Sequence, residues 1–472
     1  MPQDPDTRTS HRAPTDQRPQ PRGLPTGLVL TIAFGTVLQA LNASTMAVAM
    51  VDIREAFHAG SATSWLISGL YLATAVGSPT AGRLADLFGP RKVFLASLAL
   101  TAIASAAAPF APTLGWLIAF RVLLGLGTCA AYPAGVTLLR RQADRQGVAL
   151  PATALSLLAI GGQIMIALGP VVGGVLVQFW GWPAIFTINL PLVVISATLA
   201  LLWLPADDPS RRTGGPVLRQ LDLGGAALFA AVIAVLMLFL LSLGQQPDWW
   251  LLALWTGLLA AFITFELRVA HPFVDLRVLA GNRPLTSTYL RTGWTYVAFY
   301  AVFYGLPMWL ETSRGLDPGT VGVVVLPMAL AAMAVVAIAS RTLRHGHWPV
   351  LLVGSAAFVA GGLALTTLHA TTPIAALVAV AALLGIPNGV NNIGNQTAMY
   401  RQADAAHAGI ASGLYRTSQY VGANIAAAVI ELCYAGPASD PGLHRVGLVI
   451  VGISAVLVVG ALVGVARARK QR

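Results

Sequence analysis

The sequence predicts an all-α polytopic membrane protein: two six-helix bundles plus two extra central spans, fourteen transmembrane helices in all. Three observations predict it. The 472 residues are 56% hydrophobic and only 10% charged, against about 25% charged in soluble domains, and mean hydropathy is +0.72. Apolar runs of more than about 18 residues recur along nearly the whole chain. The basic residues alternate between charged and charge-poor connections, as they do across a bilayer. This composition excludes a soluble enzyme, a nucleic-acid-binding domain and a disordered scaffold, although the net charge is +11.

Residues 1–26 are rich in Pro, Arg, Asp and Thr and lack the apolar core of a cleavable signal, so they read as a disordered cytoplasmic tail. Apolar segments follow at 27–50, 62–82, 93–110, 113–138, 150–178 and 183–204 and make an amino-terminal bundle of six, 27–204. Residues 205–221 read as a cytoplasmic linker. Two extra spans, 222–244 and 249–270, occupy 222–270, and 271–284 is a cytoplasmic connector. Spans at 285–310, 318–340, 348–369, 373–398, 408–434 and 443–466 make the carboxy-terminal bundle, 285–466, and 467–472 is a cytoplasmic tail. Backbone groups in lipid must bond internally, so unbroken runs of this length are helices.

Charge tests the count, because one missed span inverts every later loop. With the amino terminus inside, 23 of the 29 basic residues fall in inner segments. Three (Arg54, Arg314, Arg445) fall in outer loops, and three (Arg121, Arg291, Arg416) lie within spans. The positive-inside rule therefore predicts an even number of spans with both termini cytoplasmic. Only Lys92 and Lys470 are lysines, an Arg bias that fits a GC-rich bacterial genome and hence the bacterial inner membrane. Cys129 and Cys433 form no disulfide framework and no CxxC pair.

The inner turn after the second span reads Gly82-Arg83-Leu84-Ala85-Asp86-Leu87-Phe88-Gly89-Pro90-Arg91-Lys92, with a faint echo after the tenth. Glycines at 82 and 89 permit a tight turn, and Asp86 is able to pair with Arg91 or face a helix amino terminus. This segment resembles the signature loop of the major facilitator superfamily, with Leu87 and Pro90 at two usually basic positions. Arg121 to Gly127 is similar to that family's fourth-span motif, with Leu124 replacing the usual Gln. Gly162, Gly169, Pro170, Gly173 and Gly174 resemble the fifth-span motif associated with exporters. Residues 180–192, 275–283, 314–326 and 409–413 resemble the fourteen-span drug:proton antiporter, or multidrug efflux, group in particular.

The resemblance implies two bundles that rock about a central cavity. It also implies a conformational gate built from Gly82, Asp86, Gly89, Arg91, Gly169, Pro170, Gly173 and Gly174. Physically, glycines at 169, 173 and 174 leave a smooth face for another helix, and Pro170 bends the span. The first span departs from the family: its buried Asp is Asn42 here. Coupling is therefore expected to rest on Arg121 with a rim carboxylate, Asp52 or Glu431, because a buried Arg needs an acid, a carbonyl or water.

Three spans are unusually polar. At about 100° per residue, Asn388, Asn391, Asn392 and Asn395 share an arc of the twelfth span. On the ninth, Tyr289, Tyr296, Tyr300 and Tyr304 occupy one side, with Arg291 and Trp294 on the other. Both faces cannot line one cavity. An intramembrane Arg usually faces the interior or water, so the Arg291 and Trp294 face is expected on the cavity and the tyrosines in packing. On the thirteenth, Arg416, Gln419 and Tyr420 share a face. The substrate-binding residues are thus expected to be Asn42, Arg291, Trp294, Asn388, Asn392, Arg416 and Gln419. The Asn stripe suits carbonyl and hydroxyl groups and Trp294 a ring, while cations at 291 and 416 favour a neutral-polar or anionic molecule with an aromatic body.

The expected function is secondary export of a small organic molecule, a drug or natural product, driven by protons and performed by a monomer in the lipid bilayer. No catalytic site, cofactor, metal site or nucleic-acid partner is expected. The alternatives are a proton-uncoupled facilitator or importer of a polar or anionic molecule, favoured by Asn42, and a non-transporting membrane sensor or assembly protein.

Overall fold

A computed structural model describes residues 25–146, 152–207, 222–243, 246–269, 272–274, 276–342, 347–403 and 408–470. Of the predicted tails, 1–26 and 467–472, residues 1–24 and 471–472 lie outside the described residues, as does most of the linker, while residues 467–470 continue the last helix. Every regular element described is helical. The long helices are α1 (Thr26–Ser44), α2 (Ser64–Phe88), α3 (Pro90–Ala107), α4 (Leu114–Arg145), α5 (Ala152–Trp180), α6 (Ala184–Trp203), α7 (Leu223–Ser242) and α8 (Trp249–Glu266). They continue as α9 (Arg283–Thr312), α10 (Pro318–Thr342), α11 (His347–Leu365), α12 (Ile374–Gln402), α13 (Ala408–Tyr434) and α14 (Asp440–Lys470). Among the described residues, ten helical stretches are long and apolar enough to cross a membrane by length and composition. Of the helices just named, α2, α5, α9 and α13 are not in that set.

Local chemistry explains the helix ends. Pro90 and Pro318 stand at first helical positions, where a missing N–H is harmless, and Asn282 caps α9 by accepting from the Leu285 N–H at 3.1 Å. Between α2 and α3 the chain turns at Gly89, whose φ of +102° suits glycine. Behind it lies Asp207, from the end of α6, which accepts from the Arg91 and Lys92 N–H groups at 3.1 and 3.0 Å. Asp207 is thus an acid at the α3 amino terminus that the sequence did not announce; the expected pairing of Asp86 falls on a side chain that, like that of Arg83, lies outside the described residues. Arg91 itself donates to the Leu201 carbonyl at 3.0 Å, and Gly82 is free of close contacts, Pro133 being the nearest neighbour to a Cβ there, at 3.8 Å.

Two places join the amino-terminal six helices to the carboxy-terminal six through backbone. A Cβ on Gly174 of α5 would lie 2.2 Å from the Pro318 carbonyl oxygen, and one on Gly322 of α10 would lie 2.5 Å from the Pro170 carbonyl oxygen. On the opposite side of α5, a Cβ on Gly169 would overlap Ser44 and one on Gly173 would press on Thr45. The smooth glycine face is thus used twice, against α1 and against α10. Glycines 173 and 174 matter most because each meets backbone, which cannot step aside. The pair α7 and α8 packs together through Phe229, Phe262 and Phe273, and α7 closes over α13 at a crevice lined by Met237, Leu240, Val421 and Asn424.

Candidate functional site

The ends of α1, α5, α9 and α13 gather at one face, called here the Arg54 face after the short helix Met50–Ala56 that follows α1. Arg54 donates to Glu431 of α13 at 3.0 Å, to Thr63 at 3.1 Å and to the Gly436 carbonyl at 3.0 Å, and Ser64 donates to the same Glu431 oxygen at 3.2 Å. Residues from the first and the second six helices therefore seal this face with an ion pair, beside the α5–α10 backbone contact. Bidentate reach to a carboxylate and a carbonyl is what a guanidinium supplies better than an ammonium.

Deeper in the molecule, polar groups from both sets of six meet again. The Tyr71 hydroxyl of α2 lies 3.1 Å from that of Tyr304 of α9, which in turn donates to the Ala43 carbonyl at 2.8 Å. Gln39 of α1 donates to the Tyr420 hydroxyl at 3.0 Å. The Arg416 guanidinium sits 3.9 Å from the centroid of Tyr132 of α4, a cation–π contact across the interface. Tyr71 stacks on Tyr420 at 5.8 Å, and Tyr300 stacks on Tyr304 at 5.8 Å. Phenols, one amide and one guanidinium thus line the seam between the halves. Such a set binds an aromatic body by stacking and its carbonyl or hydroxyl groups by hydrogen bonds.

This differs from the expected use of α9. Tyr300 and Tyr304 meet Tyr71 of the other half, while Tyr289 packs with Met399 and Tyr415 of its own half. Arg291 also turns into its own half, donating to Asn395 Oδ1 at 2.6 Å and to Thr288 Oγ1 at 3.2 Å with Trp348 beneath it at 4.9 Å. Trp294 is 49% exposed. An intramembrane Arg needs polar partners, and amide, hydroxyl and ring neighbours supply them as well as a water-filled cavity does. The Asn stripe also divides. Asn391 and Asn395 are buried, Asn392 accepts from the Tyr415 hydroxyl at 3.2 Å, and Asn388 is half-buried. Gln419 is half-buried on α13.

Asn42, 1% exposed, faces away from this seam. It forms a reciprocal amide pair with Asn189 of α6, at 2.7 and 2.8 Å. Nor does the expected coupling set come together. Arg121, also 1% exposed, donates to the Leu66 and Asn42 carbonyls, both at 3.1 Å, while its third nitrogen has no partner. Glu431 is held by Arg54, and Asp52 is half-buried beside Glu55; burial first, and Glu55 second, push its carboxyl above the ordinary carboxylate range.

Sequence reasoning missed Gln39, Tyr132, Asn189, Asp207 and Glu311. A polar residue in an apolar run, as at Asn189 in the segment 184–192, was the available signal. The others needed their partners to be known.

The helical fold and a polar seam between two sets of six helices define a membrane transporter. The major facilitator superfamily model matches residues 32–427, and the chain belongs to that superfamily, whose members carry small molecules across membranes. It is 34% identical to the MFS-type transporter YwoD of Bacillus subtilis over 423 residues, 89% of this chain and 92% of that one. It is 30% identical to a tetracenomycin C resistance and export protein of Streptomyces glaucescens, over 89% of this chain and 78% of the relative. A lincomycin resistance protein of Streptomyces lincolnensis is likewise 30% identical, over 92% and 91%. The nucleoside transporter NupG has a similar fold, with a TM-score of 0.65 at 15% identity, over 92% of this chain and 99% of that one.

Proposed function

We propose that the protein is a fourteen-span secondary transporter of the bacterial inner membrane that exports a small organic molecule with an aromatic body. Both termini face the cytoplasm, so the Arg54 face is the outer one, and the conformation described is closed outside. One observation carries the reading: the two sets of six helices seal one face with Arg54 and Glu431 while a row of phenols, Gln39 and Arg416 lies along the seam beneath. A seal on one side above a polar seam is the arrangement that alternating access requires. The names of the Streptomyces relatives support export of a natural product. An uncoupled facilitator is the second reading, favoured by Asn42, because its amide pair with Asn189 stands where the family's buried acid is expected.

Flux tests this directly. Inside-out vesicles holding the protein are expected to accumulate polycyclic phenolic compounds when their lumen is acidic, and Tyr132→Leu or Arg416→Gln should each reduce uptake about tenfold. Collapse of the pH gradient without loss of uptake would select the facilitator; no uptake of any compound in the panel would reject transport of this class.

A further inference from the structure

Glu311 is the penultimate residue of α9, at the Arg54 face. It is 9% exposed, and among the described residues neither of its carboxyl oxygens has a hydrogen-bond partner. The charged groups that act on it are Asp52 and Glu55, both acids, reaching from the short helix 50–56 of the other half. Among the described residues, the bases and hydrogen-bonding groups of the surrounding elements bond elsewhere, save the Arg314 Nε, which is buried and makes no hydrogen bond to Glu311 or to any other group. Arg54 holds Glu431, Arg314 donates to the Ala370 carbonyl, and Arg445 donates to the Cys433 carbonyl at 3.1 Å. Tyr434 donates to the Gly305 carbonyl at 2.7 Å. Asp440 accepts from Trp309 and Ala370 and lies near His369, while His444 bonds to the Leu368 carbonyl.

An ionised carboxylate enclosed in this way loses its water and gains no donor, and two further acids repel it. The closed face therefore accommodates Glu311 as the neutral acid. Opening changes both conditions at once, because helix 50–56 belongs to one half and α9 to the other: separation hydrates Glu311 and withdraws Asp52 and Glu55. We infer that Glu311 is a proton-binding site linked to the conformational cycle, taking up one proton as the Arg54 face closes and releasing it as that face opens. The inference rests on the alternating-access reading above. The proton arrives from water on the side to which the face opens and resides on a Glu311 carboxyl oxygen, with no other group changing charge. A metal ion is a poor alternative occupant, since among the described residues no three or more His, Cys, Asp or Glu side chains are placed to hold one.

The sign follows from linkage. The closed state binds the proton more tightly than the open state, whose exposed glutamate titrates near the ordinary value of about 4.3. Above that value, raising the pH favours opening, by up to about tenfold in the open-to-closed ratio per pH unit for one linked proton.

The test uses the full-length chain, with Cys129 and Cys433 replaced by Ala, spin-labelled at Ala56→Cys and Pro437→Cys and reconstituted in liposomes with independent control of pH on each side. The expected result is a shift from short to long inter-label distances as the pH outside the Arg54 face rises, and short distances at every pH in Glu311→Gln. Asp52→Asn with Glu55→Gln, which keeps Glu311, should retain the transition and move its midpoint to lower pH. No pH response in the parent, an unchanged response in Glu311→Gln, or a distance shift produced by sodium at constant pH would each overturn the site. A response that follows the pH on the opposite side supports the linked proton and rejects the outward assignment of the Arg54 face.

Discussion

At residue 42 the reciprocal pair with Asn189 needs a donor and an acceptor on each partner, which two amides supply. Removing one leaves the other buried and unpaired, at a cost of about 1–3 kcal/mol, whereas removing both costs far less. Asn42→Leu and Asn189→Leu should each lower the melting temperature of the purified protein, and the double variant should recover part of the loss. Strict additivity would show that the pair is not a unit. Gly89 is a second such position. Its φ of +102° disfavours any side chain, and a Cβ would lie 2.3 Å from Asp207 Cγ. Gly89→Ala should therefore destabilise by about 1–3 kcal/mol, read as a lower melting temperature than in Gly82→Ala, where a Cβ has room. Equal melting temperatures would contradict the Asp207 clamp.

At the scale of elements, ten of the apolar segments read from the sequence fall on helices long and apolar enough to cross a membrane among the described residues, because apolar length is a property of a single stretch of chain. Features that depend on a second element were not legible. Span 1 ends in a 3-10 turn at Thr45–Val48, where α5 comes close enough that a Cβ on Gly169 or Gly173 would meet Ser44 or Thr45. The fourth span divides at Ala130 into Leu114–Cys129 and Ala131–Arg145, where Pro133 has no N–H to offer the Cys129 carbonyl one turn back. The α5–α10 crossing yields a prediction of its own. Gly174→Leu would drive a side chain into the Pro318 carbonyl and should open the Arg54 face, increasing maleimide labelling of a cysteine at the buried Val177 severalfold, with overpacking of about 1–3 kcal/mol. Gly257→Leu, where a Cβ meets nothing within 4 Å, should leave the labelling unchanged. Slow labelling in Gly174→Leu would show that α5 and α10 tolerate separation without opening the face.

For the whole molecule, helical periodicity identified which residues share a face but not which face meets which. The tyrosines of α9 and the Arg291 side were both visible as stripes; only the packing of α9 against α2 assigns Tyr300 and Tyr304 to the seam. The same limit hid the pairing of Arg54 with Glu431, which are 377 residues apart. That ion pair stands at the centre of the account, because a transporter closed at this face must open it in every cycle. In a chain with Cys129 and Cys433 replaced by Ala, Arg54→Cys and Glu431→Cys place one thiol on each side of the pair, to be joined by a dithiol-reactive reagent with a short reducible spacer, since two cysteines are shorter than the Arg and Glu they replace. The decisive measurement is vesicle flux of one compound before cross-linking, after cross-linking and after reduction of that double variant. Alternating access predicts that cross-linking abolishes flux and that reduction restores it, with neither single variant responding. Undiminished flux through the fully cross-linked protein would contradict the account.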